Sequence, residues 1–179
     1  MASRRGIPTI YKGLLFRSRL EAQWAHFFDQ LQWPWQYEPI DLDGYIPDFV
    51  LPFDAGPLLV EVKPEFYLAD LEQHTAKVEE SGWEHEALVV GTEIMDHAYY
   101  WGPVLGLLGE RDEDNWDWGA GIIFMCNKCL MPSIYHGEGH WRCRANGCYD
   151  GDHHIDPLDI NAVSLMWHTS QRTMQWRAR

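Results

Sequence analysis

Six residues, Leu58-Leu59-Val60-Glu61-Val62-Lys63, constrain the fold of this chain more than any other stretch. A short apolar run that ends in alternating charge reads as a buried strand. Successive side chains on a strand point to opposite faces. Leu59, Glu61 and Lys63 therefore share one face, and Leu58, Val60 and Val62 the other. Tyr45 to Pro52 reads as the preceding strand, with Asp54-Ala55-Gly56-Pro57 as the turn between them. A hairpin of this kind brings Asp48 beside Glu61. Two adjacent carboxylates suit Mg²⁺ or Mn²⁺, hard cations that take oxygen ligands and keep several waters. A lysine on the same face can orient an attacking water or stabilise phosphorane charge. Glu-Val-Lys alone is common as an edge pair facing water, so its weight comes from what surrounds it.

Upstream, Phe16-Arg17-Ser18-Arg19-Leu20-Glu21 opens a helical pattern. Leu20, Trp24, Phe27 and Leu31 fall at helical spacing and form its core face. Glu21 sits at the edge of that face, beside the core yet able to reach a cleft. Trp33-Pro34-Trp35 closes the helix, and Gln36-Tyr37-Glu38-Pro39 reads as a first strand. The order is thus helix with Glu, strand, strand with Asp, strand with Glu-x-Lys, then helix.

In that order and spacing, roughly residues 11 to 95 resemble the PD-(D/E)xK nuclease superfamily, and among its members the small phage and bacterial nucleases with an Arg-Ser-x-Leu-Glu helix. The resemblance implies an α/β fold, a restriction-endonuclease-like mixed sheet flanked by helices. It implies Mg²⁺- or Mn²⁺-dependent hydrolysis of DNA, branched, flapped or single-stranded forms and recombination or repair intermediates included. By the same resemblance Asp48 and Glu61 are metal ligands, Lys63 is the catalytic lysine, and Glu21 supports the metal or its waters. Many members add a Gln or Lys on the helix after the third strand. Gln73 and Lys77 are four residues apart and so share a helix face; Lys77 is the preferred candidate. Glu65 and His74 read as surface residues. Pro64 directly follows Lys63, where the family often has glycine, and still lets the strand end there. The alternative reading keeps the fold and drops the chemistry: a module that holds nucleic acid, or docks on a host protein through an acidic face.

All four cysteines lie in one stretch, as Cys126-x2-Cys129, thirteen residues, then Cys143-x4-Cys148. Two short knuckles of this kind match a tetrahedral structural Zn²⁺ site with no open position, and the segment resembles a zinc ribbon. Ile122 to Met125 and Gly139 to Arg142 are expected as strands leading into the knuckles, with Gly137 and Gly147 at tight turns. Two disulfides are the competing arrangement and require an oxidising compartment. The Met1-Ala2-Ser3-Arg4-Arg5 start has no apolar signal segment, so the expectation is cytoplasmic, in the bacterial host if the chain is phage-encoded. His136, His140, His153 and His154 lie nearby and read as surface or supporting residues. Lys128, Arg142 and Arg144 are candidates for touching nucleic acid.

The 179 residues suit one core domain with a small appended module. The expected division is a core over 1–119, a ribbon over 120–155 and a C-terminal helix over 156–179 that packs back on the core. Glu110 to Asp117 is expected as the exposed loop between the first two. No run approaches the ~20 apolar residues of a membrane span, and Val104 to Leu108 reads as core. A net charge of −13 argues against a generic DNA-binding protein, which is usually basic. The distribution softens this. Residues 1–20 hold Arg4, Arg5, Lys12, Arg17 and Arg19 with no acid, and residues 160–179 add Arg172, Arg177 and Arg179. A basic rim from both termini and the ribbon could face DNA, leaving an acidic face for a basic protein partner; a homodimer is a further option. Asp159 to Trp176 reads as a final helix with Ile160, Val163, Met166, Trp167, Ser170 and Met174 near one face.

Overall fold

The computed structural model of the protein describes residues 6–96, 101–113, 115–149 and 151–175. Arg4, Arg5, Arg177 and Arg179 of the expected basic rim, and Trp176 at the end of the expected final helix, lie outside the described residues. The chain starts with a hairpin that sequence reading did not anticipate, β1 (Thr9–Tyr11) against β2 (Leu14–Phe16). Its turn places Lys12 and Gly13 at φ 48° and 80°, the double left-handed geometry that matches strand twist. Helix α1 (Arg19–Gln30) follows, capped by Ser18, whose side chain accepts the Glu21 N–H. Ala22, Trp24, Ala25, Phe27 and Phe28 are buried along it, as the spacing requires.

Next come β3 (Gln36–Tyr37), β4 (Phe49–Phe53) and β5 (Gly56–Val62). Then follow α2 (Leu68–Leu71), a 3₁₀ turn over Glu72–His74, and α3 (Thr75–Glu79). The chain continues through β6 (Ala87–Met95), β7 (Val104–Asp112), β8 (Asn115–Cys126), β9 (Pro132–His136) and β10 (Ile155–Pro157) to α4 (Ile160–Thr173). The result is a mixed α/β protein. Its eight-stranded sheet runs β10-β8-β7-β6-β5-β4-β3, with β9 on the other edge of β8. Among the described strands only β5 and β6 pair in parallel; the α2–α3 segment is their crossover.

The two faces of β5 separate as the alternation demands. Leu58, Val60 and Val62 join Leu88, Val90, Trp24 and Phe27 in the main core under α1 and α4. Leu59 packs with Tyr45, Val78 and Ala87 on the opposite face, under α3. Helices α1 and α4 meet through Trp24 and Trp167, ring centroids 4.5 Å apart. The two indole N–H groups donate to the Gly91 and Thr92 carbonyls of β6, so neither ring leaves a buried donor unpaired.

Four expectations are corrected. The strand before β5 starts at Phe49, not Tyr45, because Asp43 and Gly44, both at positive φ, fold residues 42–45 into a tight turn bridged between Leu42 and Tyr45. The helix after Lys63 is broken: the ladder tightens at Thr75, whose N–H reaches the Glu72 carbonyl, so Gln73 and Lys77 do not share one continuous helix face. Glu110 to Asp117 is not a linker loop but a hairpin, pairing Glu110 with Asp117, Arg111 with Trp116 and Asp112 with Asn115. Gly139 to Arg142 is not a strand; β9 is the partner strand that follows the first knuckle.

The 119/120 junction falls within β8, which pairs with β7 from Asn115 to Ile122 and ends at Cys126. Cys126, Ile134, Tyr135, Cys143 and Ala145 share one apolar core with Trp24, Phe49 and Val60. No helix among the described residues is long and apolar enough to cross a membrane.

Candidate functional site

Phe49 pairs with Val60 in the β4–β5 register. One step further, Asp48 stands opposite Glu61 at the open end of the hairpin. Both are buried, 5% and 3% exposed, and so is Glu21 at 8%. Asp48 Oδ2 accepts the Val62 N–H at 2.7 Å, and Oδ1 accepts the Arg17 guanidinium at 2.7 Å. Arg17 also pairs with Glu38 at 2.6 Å. Glu61 Oε1 is held by the Lys63 ammonium, and Oε2 accepts the Tyr45 hydroxyl at 2.8 Å. Glu21 accepts from the Ser18 and Tyr37 hydroxyls at 2.7 and 2.6 Å, and from the Arg17 N–H at 3.1 Å. The helix carboxylate and the hairpin carboxylates therefore converge on one end of the sheet.

The electrostatics follow from that convergence. Burial, then the charge of Glu61, push the Asp48 carboxyl up to about 7, with Glu21 adding to the rise against the Val62 N–H and Lys63. Burial and the Glu61 carboxylate also raise the Tyr45 hydroxyl, so it remains a donor. Arg17 is held more firmly protonated: burial opposes its charge, but Tyr37 and the Asp48, Glu38 and Glu21 carboxylates outweigh it. Four carboxylates thus face Arg17 and Lys63, an excess of negative charge that a divalent cation would offset. The carboxylate oxygens do not draw together as a preformed cage. Among the described residues only the cysteines do that.

Lys77 approaches through the Tyr45 ring, its Nζ 4.7 Å from the centroid, and so reaches the site one residue removed from Glu61. Gln73 turns back to the Asp70 carbonyl. His74 and Glu65, expected on the surface, are half-buried partners at 3.0 Å. Arg17, expected in the basic rim, has its guanidinium bridging Asp48 and Glu38. Sequence reading missed Tyr37 and Tyr45, for which the only signal was a hydroxyl in each segment flanking Asp48.

The four cysteines do converge. Their Sγ atoms lie within 4.8 Å of one another, with no disulfide among them. Cys129 and Cys143 Sγ stand 3.7 Å apart. A tetrahedron with Zn–S bonds of about 2.3 Å has edges of about 3.8 Å, so the donor set fits a tetrahedral metal. Cys126 sits at the end of β8, and its carbonyl accepts the Leu130 N–H at 2.7 Å, with Leu130 at φ 60°. The second knuckle closes by Cys143 N–H to the Cys148 carbonyl at 2.9 Å, with Gly147 at φ 64°. Gly147 meets its expectation; Gly137 has no positive φ. Burial opposes charge at Cys129, yet the Met131 N–H and the other three thiols pull it below the usual thiol range.

Of the expected nucleic-acid contacts, the one by Arg144 is corrected, because its side chain is buried. Arg144 is 1% exposed and pairs with Glu86 and Glu110, while Arg142 also binds Glu86. Burial would raise Glu110, but the His140 hydrogen bond and the Arg144 charge hold it low. This network fills the sheet end opposite the carboxylates. His136 and His154, expected at the surface or in support, are fully or almost fully buried. The chain matches no family model, no curated protein and no solved structure.

Proposed function

We propose that the protein is a metal-dependent deoxyribonuclease with a restriction-endonuclease-like core and a structural zinc centre. One observation carries the reading: buried Asp48 and Glu61, opposed across a hairpin, with Lys63 on Glu61 and the α1 carboxylate Glu21 closing the same end. In this reading Asp48 and Glu61 hold Mg²⁺ or Mn²⁺. When bound, such a cation lowers the pKa of a water and neutralises the scissile phosphate. Lys63, fixed by Glu61, positions the attacking water. Glu21, fixed by Ser18 and Tyr37, accepts from the waters around the ligand pair. Arg17 balances Asp48 in the free protein and can move to the phosphate once a cation takes over that charge. Cys126, Cys129, Cys143 and Cys148 hold Zn²⁺, whose closed thiolate shell leaves no place for substrate.

The second reading is a non-catalytic module. It draws on the saturation of Asp48 and Glu61, whose four oxygens already have protein donors. Cleavage of single-stranded, duplex and flapped DNA with Mg²⁺ or Mn²⁺ separates the two. The nuclease reading expects metal-dependent cleavage that Glu61→Ala abolishes. No cleavage of any form, or undiminished cleavage by the variant, overturns it.

A further inference from the structure

Two aromatic side chains stand unburied beside the candidate site. Phe66 and Tyr67, three and four residues beyond Lys63, are 58% and 66% exposed. Three to four residues of chain span at most about 11–14 Å, so the rings lie within a few nucleotides of any phosphate at Lys63. They pack edge to face, centroids 5.0 Å apart, and neither is covered by the core.

The backbone beneath them is fixed. The Glu65 carbonyl accepts the Thr92 N–H at 2.8 Å and the Thr92 hydroxyl at 3.1 Å. Gly91 packs so closely on that carbonyl that a Cβ there would stand 2.5 Å from the oxygen. The Glu65 side chain is tied to His74. Two large apolar rings are thus presented to solvent from an anchored segment.

Charge narrows what they can meet. The chain carries a net −13, and Lys12, Arg17, Lys63, Arg142 and Arg144 are all engaged by carboxylates. Phosphate contacts alone then give little affinity. Stacking of a base on an aromatic ring needs no charge and tolerates any sequence. A duplex hides its base faces; an unpaired strand offers them. We infer that Phe66 and Tyr67 form a base-stacking platform that delivers single-stranded DNA, free or as a flap, to the carboxylates. This rests on the nuclease reading above and assigns its substrate class.

The test is fluorescence polarisation of a labelled single-stranded oligonucleotide and of its blunt duplex, with Ca²⁺ replacing the catalytic ion, at two salt concentrations. The proteins are the parent, Phe66→Ala/Tyr67→Ala, and the ring-retaining Phe66→Trp/Tyr67→Phe. Loss of a stacked base weakens binding about tenfold. The platform expects at least that loss on the single strand for the alanine pair, with duplex affinity and salt slope unchanged, and parent-like binding by the ring-retaining pair. Equal losses on both DNA forms, or none on either, overturn the platform. If the parent still cleaves DNA and Glu61→Ala does not, such a result leaves the nuclease reading standing. A parent that neither binds nor cleaves any form overturns both.

Discussion

Replacing Asp48 by Asn should stabilise the cation-free protein, and by an amount that grows with pH. Burial and Glu61 raise the Asp48 carboxyl from 3.8 to about 7. The folded state therefore keeps its proton where the unfolded chain has lost it. A group with a raised folded pKa contributes stability that is complete below the unfolded value and is lost as pH rises toward the folded one. Between pH 5 and about 7 this loss runs at about 1.4 kcal/mol per pH unit, or about 3 kcal/mol in all. Asn keeps the acceptor for the Val62 N–H and removes the charge. Loss of the Arg17 contact costs no more than about 1 kcal/mol, since Arg17 is largely exposed. Its charge-dependent part grows as Asp48 ionises, enters through the folded pKa of that carboxyl, and is not counted a second time. Urea denaturation of parent and Asp48→Asn in Mg²⁺-free buffer should show the stability gap move by about 3 kcal/mol in favour of the variant from pH 5 to pH 8. In a chain of 179 residues this corresponds to about 6–12 °C in Tm. Millimolar Mg²⁺ should restore the parent at pH 8 and leave the variant unmoved. A gap that stays constant with pH would falsify the assignment of Asp48 as a buried acid destabilised by its neighbours.

Lys63→Ala should lower single-turnover cleavage about 100-fold or more while leaving Mn²⁺ affinity by calorimetry nearly intact; lost Mn²⁺ binding with normal turnover at saturation would reverse its role. The purified protein should carry about one zinc per chain by elemental analysis, and Cys143→Ser should lower both zinc content and Tm; a zinc-free parent with its thiols oxidised to disulfides would refute the centre. Arg144→Ala should cost about 3 kcal/mol, because it removes the buried guanidinium that Glu86 and Glu110 share and leaves a gap, although Arg142 and His140 still reach those carboxylates, whereas Arg142→Ala, at the same Glu86 but half-exposed, should cost about 1 kcal/mol or less. Equal denaturation midpoints for those two variants would contradict the burial-based distinction.

What the sequence made legible is what depends on local period. The alternation in Leu58 to Lys63 gave the faces of β5, and the spacing of Trp24 and Phe27 gave the buried side of α1. Cysteine spacing pointed to a cluster because knuckle geometry is itself local. What stayed hidden depends on partners distant in sequence. Nothing near Arg144 announces that Glu86 and Glu110, 58 and 34 residues away, will bury it. Arg17 had a plausible partner four residues on in Glu21, yet the capping role of Ser18 turns Glu21 back to the backbone and frees the guanidinium for Asp48. The Glu110 to Asp117 stretch read as a loop because its charges masked a strand period, which Trp116 and Trp118 reveal by stacking on one face.

The cysteine centre and the carboxylates are tied by one hairpin. The residues after Cys143 reach the β4–β5 turn, where Asp54 and Ala55 N–H groups donate to the Ala145 and Arg144 carbonyls at 3.1 and 3.2 Å. Asp48 lies six residues up that hairpin, about 20 Å along the strand. The turn end is thus clamped by the knuckle and the open end holds Asp48 against Glu61. A one-residue slip between β4 and β5 would move every side chain to the wrong face, and with it one of the two proposed ligands. A metal that fixes the knuckle therefore resists that slip without touching substrate. On the proposed reading, this would give a closed thiolate site a part in the chemistry at the far end of the hairpin, and would account for a metal centre built into the sheet and core.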